Sequence, residues 1–230
     1  MSIWGRVFAA MYDRMMARTE RDGLGARRAA LLAQASGDVL EIGGGTGVNL
    51  NHYGAGVTTL TVTEPETPMA RRLQAHIAER RPEALLVQAP AEQLPFDDAS
   101  FDTVVSTLVL CTVGDQPQAL GELRRVLRPG GRLLFIEHVR SEDPKLAKWQ
   151  DRLLPLNVRM GHGCHCNRAT LDGIRQAGFD VTEVEHGTLE HAPPLVRPMI
   201  AGVAQAPSAA SRDSSSLRSA PAADSESARS

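Results

Sequence analysis

Val39-Leu40-Glu41-Ile42-Gly43-Gly44-Gly45-Thr46-Gly47 decides the fold of this 230-residue chain. The apolar run around Glu41 reads as a buried strand, and the glycines that follow cannot extend it. Without side chains, that turn can take left-handed dihedrals and let a ligand approach the backbone closely. With a helix expected next, the segment is a strand, turn and helix of the kind that holds nucleotide-like ligands. The dinucleotide fingerprint is Gly-x-Gly-x-x-Gly, yet its third glycine falls on Val48 counting from Gly43 and on Leu50 counting from Gly45. A nicotinamide-dependent oxidoreductase therefore lacks its motif here.

The same alternation runs outward from this turn. Strands are expected over 59–63, 84–88, 102–106, 132–139 and 180–185, with helices over 68–80, 116–127 and 169–177. A helix over 25–34 precedes the first strand, and an apolar run at 196–204 ends the pattern. Strands alternating with helices predict an α/β fold: a doubly wound, Rossmann-like, mostly parallel sheet. At the N terminus Trp4, Val7, Phe8, Met11, Tyr12, Met15 and Met16 recur at helical spacing. That stripe suits packing on the main domain, a lid over an apolar substrate, or peripheral contact with a membrane surface.

Three regions follow: N-terminal helices forming a lid over 1–36, a binding domain over 37–204, and a tail over 205–230. Within the domain, 145–168 carries little strand signal and is expected to cover the substrate. From Ala206 onward the chain is Ser, Ala, Pro, Arg and Asp without apolar periodicity, the composition of disorder.

Composition narrows the function. The 25 basic and 27 acidic residues leave a formal charge of −2, so no global field draws the chain to nucleic acid. Cys111, Cys164 and Cys166 are too few and too uneven for the disulfide framework of a small secreted protein. With no signal-peptide pattern and no apolar run long enough to span a bilayer, the expected location is the cytoplasm.

An acidic residue followed by three alternate glycines resembles motif I of the class I S-adenosylmethionine-dependent methyltransferases, with Glu41, Gly43, Gly45 and Gly47 carrying the match. The resemblance implies that the turn lies against the amino-acid part of S-adenosyl-L-methionine. It also implies that Glu64, about 20 residues on at a strand end, accepts the ribose hydroxyls. In Glu64-Pro65-x-x-x-Met69, Met69 would pack near the adenine, and Glu66 is the less suitable ribose ligand because it follows the strand end. Ala89-Pro90-Ala91-Glu92-Gln93-Leu94-Pro95-Phe96 is similar to the family's loop beside the adenine, with Ala91 and Glu92 matching. Pro90 replaces the usual acid and has no amide proton to donate. Ser106 and Thr107, at the carboxyl end of the 102–106 strand, are expected to border the cofactor.

Across 39–139 the chain is similar to the methyltransferase type 11 group. Ile136-Glu137-His138-Val139, Trp149-Gln150 and Gly161-x-Gly163-Cys164-x-x-x-Arg168-x-Thr170 resemble the thiol methyltransferase branch. His138 at a strand's carboxyl end is either a proton acceptor with an ionisation near neutrality or a satisfied core histidine. The His162, Cys164, His165 and Cys166 cluster lacks the paired Cys-x-x-Cys spacing of structural zinc sites, and no metal is expected.

The resemblance implies methyl transfer to a small, rather apolar acceptor, with a thiol first and a phospholipid amine or quinone ring as alternatives. A protein that binds the cofactor without catalysis would share these motifs. Oligomeric state has no signature here.

Overall fold

The computed structural model describes residues 13, 14 and 16–208. Most of the N-terminal apolar stripe, and with it the expected membrane contact, lies outside the described residues, as does the tail over 209–230.

Seven strands form one sheet in the order β3-β2-β1-β4-β5-β7-β6. These are β1 (Gly37–Ile42), β2 (Val57–Thr63), β3 (Leu85–Val87), β4 (Phe101–Thr107), β5 (Leu127–His138), β6 (Asp180–Thr188) and β7 (Pro198–Gln205). The first five run parallel, and β7 inserts antiparallel between β5 and β6. The helices are α1 (Gly25–Leu32), α2 (Thr67–Arg80), α3 (Gln116–Val126), α4 (Pro144–Met160) and α5 (Thr170–Gln176). Strand order reverses between β1 and β4, so the carboxyl ends of these two strands open a crevice.

Alternation along the central strands builds two cores. Leu40, Ile42, Val104, Leu133 and Phe135 pack on one face with Leu120 and Leu123 of α3 and Ile174 of α5. Val39, Val62, Val105, Leu134 and Ile136 pack on the other with Leu31 and Leu32 of α1 and Leu73 and Ile77 of α2. Covered on both faces, these strands read as nearly continuous apolar runs.

Three expectations need correction. The glycine turn is followed not by a full helix but by a single 3-10 turn, Val48–Asn51. The chain there wraps the buried Glu41 carboxylate, which accepts hydrogen bonds from Asn49 Nδ2 at 2.9 Å and Tyr53 Oη at 2.7 Å, and a straight helix would carry those side chains away. β5 begins at Leu127 rather than at 132, because Leu127 pairs with Phe101 before a register shift absorbs the Pro129-Gly130-Gly131 bend. The segment over 145–168, which carries little strand signal, is mostly one helix of 17 residues, capped by Asp143, whose carboxylate accepts from the Lys145 amide. Its Pro155 leaves one carbonyl without the usual intrahelical donor. Lastly, the expected disorder does not begin at Ala206: that residue is buried and donates to Gly131 O at 2.8 Å, extending the pairing of β7 with β5.

Among the described residues no helix is long and apolar enough to cross a membrane.

Candidate active site

The glycine turn is placed by hydrogen bonds at the carboxyl ends of β1 and β2. Gly44 donates to Thr63 O at 2.8 Å, and Gly47 returns to Gly44 O at 2.8 Å. Gly43, Gly45 and Gly47 all have positive φ, at 56°, 58° and 87°. The first two differ in their surroundings. A Cβ on Gly43 would sit 2.7 Å from Val109 Cγ2, whereas one on Gly45 would meet nothing within 4 Å and point into open space. Gly43 is thus required by packing, and Gly45 leaves room for a ligand.

That space belongs to a cavity of about 750 Å³, within the size range of small-molecule sites. Its near end is formed by Gly43, Gly45, Glu64, Met69, Ala91 and Glu92, and its far end by His138, Leu153, Leu156, Met160 and Cys164. The far end is largely apolar, and Leu156 and Met160 remain exposed at 54% and 62%, so the mouth itself is greasy. The segment ahead of α1 contributes Met16 and Thr19, and Asp13 accepts from Thr46 Oγ1 at 2.5 Å. The loop after β6 closes another side with Leu189, His191 and Leu195. His191 Nε2 lies 2.8 Å from Asp22, which ties this loop to the kink at Asp22-Gly23.

Glu64 is the charged group of the near end. Its Oε2 accepts from the Gly45 amide and its Oε1 from the Glu66 amide, both at 2.9 Å. Burial outweighs these two donors and raises its pKa from 4.5 to about 7. A carboxylate held in the wall at this cost, beside a bare glycine backbone, fits a ligand carrying hydroxyl donors. Glu92 also faces the cavity, but its Oε1 accepts from the Gly114 amide at 2.7 Å and so fixes the loop before α3.

Four of the expected cofactor residues lie elsewhere. Glu41 is buried beneath the turn with Asn49 and Tyr53, and Gly47 packs on Leu50 and Leu73. Ser106 Oγ donates to Glu137 Oε1 at 2.6 Å, and Thr107 Oγ1 accepts from Asn49 Nδ2 at 2.9 Å. Both hydroxyls end the strand facing inward, and the residues that reach the cavity from β4 are the next two, Leu108 and Val109. Leu108 has a φ of 61°, a left-handed bend that no residue-type pattern announces.

Glu137 holds this bend. Besides Ser106, its carboxylate accepts the amides of Val109, Leu110 and Cys111 at 3.2, 3.0 and 3.1 Å. Burial raises its pKa in spite of these donors. The next residue, His138, lines the far end, and its Nδ1 has no hydrogen-bond partner among the described residues. Burial pulls its pKa down to about 4, which favours the neutral ring near neutral pH.

No group of His, Cys, Asp and Glu side chains that could hold a metal occurs among the described residues. His165 and Cys166 do not line the cavity, and Cys111, Cys164 and Cys166 are free thiols.

A glycine turn and a strand-end carboxylate at the switch point of a doubly wound sheet define a class I methyltransferase fold. Residues 40–135 match the methyltransferase domain of the type 11 group. A human thiol S-methyltransferase is 33% identical over 201 residues, covering 86% of this chain and 82% of that protein. A ubiquinone/menaquinone biosynthesis C-methyltransferase from Hahella chejuensis is 52% identical, but over only 28% of this chain and 26% of that protein. Among solved structures, a SAM-dependent methyltransferase from Thermotoga maritima superposes with a TM-score of 0.65 at 21% identity, covering 87% of this chain and 96% of that one. The chain belongs to the S-adenosylmethionine-dependent methyltransferases, and within them it resembles the thiol methyltransferase branch.

Proposed function

We propose that this methyltransferase transfers its methyl group to the sulfur of a small, rather apolar thiol. The observation that carries this reading is the single cavity that joins the glycine turn and Glu64 at one end to an apolar wall at the other. Similarity to the human thiol S-methyltransferase extends over 86% of the chain and so takes in the cover helix as well as the glycine turn. The quinone C-methyltransferase is similar over only 28%.

S-adenosyl-L-methionine supplies an already activated methyl group, so the protein has chiefly to orient the acceptor and exclude water. Gly45 leaves open space that would admit the amino-acid part, and Glu64 would accept from the ribose hydroxyls. Met69, Ala91 and Glu92 line the same end of the cavity and would border the adenine. Glu41, Gly47, Ser106 and Thr107 act from behind, fixing the turn and the β4 end. Leu153, Leu156 and Met160 hold the acceptor's apolar body.

A base with a pKa of about 4 is a poor acceptor for the proton of a thiol, whose own pKa is about 8.5. His138 therefore serves as a neutral ring that positions the sulfur, and the reacting thiolate forms by the acceptor's own ionisation.

The test is methyl transfer to a panel of alkyl and aryl thiols, phospholipid amines and quinols. Thiols should be methylated. Inert thiols beside a methylated amine or quinol would overturn the acceptor assignment.

A further inference from the structure

Methyl transfer gives no role to the cysteines. Cys111, Cys164 and Cys166 are buried against one another in a small cluster of their own. Cys111 ends the bend that Glu137 holds, and Cys164 lies in the turn after α4. The two segments run side by side. His165 donates to Cys111 O at 2.7 Å, and a Cβ on Gly163 would come within 3.1 Å of Thr112 O. The Cys111 and Cys164 thiols hydrogen-bond to each other, and both line the cavity, which Cys166 does not.

The pair is chemically asymmetric. The hydrogen bond from Cys111 holds Cys164 below the ordinary thiol range, with help from the Asn157 side chain and the nearby Arg168 charge. Cys111 is pushed well above that range by the same hydrogen bond and by burial. Burial also raises Cys166, to about 11. Nucleophilic attack falls to the more acidic, cavity-facing thiol.

We propose that Cys111 and Cys164 form a reversible dithiol-disulfide pair in the cavity wall that exchanges with small, apolar disulfides entering the site. The Cys164 thiolate attacks one sulfur of the disulfide RSSR, forming a mixed disulfide and expelling RS⁻. Cys111 then loses its proton to the released thiolate and attacks the Cys164 sulfur, expelling the second RS⁻, which takes up the proton that Cys164 lost on ionising. RSSR is thereby reduced to two RSH while the two cysteines are oxidised to one disulfide. The exchange goes beyond methyl transfer and needs no methyl donor, so it stands or falls separately from the choice of acceptor.

The full chain is incubated with diethyl disulfide, its remaining thiols are alkylated, and the cysteine peptides are mapped by mass spectrometry. A Cys111–Cys164 cross-link, with Cys166 alkylated and the cross-link reversed by dithiothreitol, is expected. With diethyl disulfide as the reagent, the reaction in Cys111→Ser should stop at an ethylthio adduct on Cys164, and in Cys164→Ser the reagent should leave Cys111 free. Alkylation of both Cys111 and Cys164 in the folded wild-type chain, or a cross-link through Cys166, would overturn the proposal. The wild-type map decides the matter even where a variant fails to fold.

Discussion

Replacing Glu64 by Ala removes a buried carboxylate that we propose accepts the ribose hydroxyls. Its folded-state pKa is about 7 against an ordinary 4.5, with burial as the main cause. A raised acid stabilises the folded chain while protonated, and this contribution is present below 4.5 and lost as pH rises through 7. The wild type should therefore lose about 2.5 kcal/mol from this group between pH 5 and pH 8, and the variant should lack that part of the slope. Affinity for S-adenosyl-L-methionine should fall by about 1.5–3 kcal/mol in the variant, or roughly 10–150-fold, the range for hydrogen bonds to a charged group. Because the ionised carboxylate is the better acceptor, wild-type affinity should also weaken below pH 7, by up to about tenfold per unit, while the variant stays flat. Calorimetric titration across this range, paired with thermal melts, measures both effects. Parallel pH profiles for the two proteins, or an unchanged affinity in Glu64→Ala, would refute the assignment of the ribose contact.

Further outcomes follow from the neighbouring residues. Turnover should rise with pH along the acceptor thiol's own ionisation, so thiols of different acidity should give displaced profiles. His138→Gln should raise KM for the acceptor without removing any ionisation near neutrality, and loss of such an ionisation would restore a general base. Glu137→Gln keeps only one acceptor oxygen for three amides and the Ser106 hydroxyl, and should cost about 1–3 kcal/mol for each donor left unpaired. A melting temperature equal to that of the wild type would refute its role in holding the bend. Gly43→Ala should destabilise the fold through contact with Val109, by about 1–3 kcal/mol, and Val109→Ala should partly rescue it. Gly45→Ala should carry only the strain of its positive φ, about 1–2 kcal/mol, but should weaken cofactor binding by filling the open space. Comparing melts with cofactor titrations of the two variants separates packing from binding.

The amino-acid sequence by itself determined the parts of this protein whose physics is local. Apolar runs such as Val39 to Ile42 are strands wherever two covered faces are available, and the glycines after them permit dihedrals that other residues resist. Glu64 could be placed for a related reason: a fixed number of residues separates one strand end from the next, and the parallel sheet brings both ends to the same edge. Tertiary structure decided what depends on direction and surroundings. Ser106 and Thr107 were one step short of the cavity, because the left-handed bend at Leu108 turns the following residues toward it, and distant Glu137 holds that bend. Which of the two readings of His138 holds depends on burial, which lowers its pKa and comes from chain segments far away in sequence, including Leu153 and Leu195 in the same cavity wall. Nor could spacing pair Cys111 with Cys164 ahead of the adjacent Cys166. Desolvation and contact between remote segments exist only once the chain has folded, whereas propensity and pattern are written residue by residue.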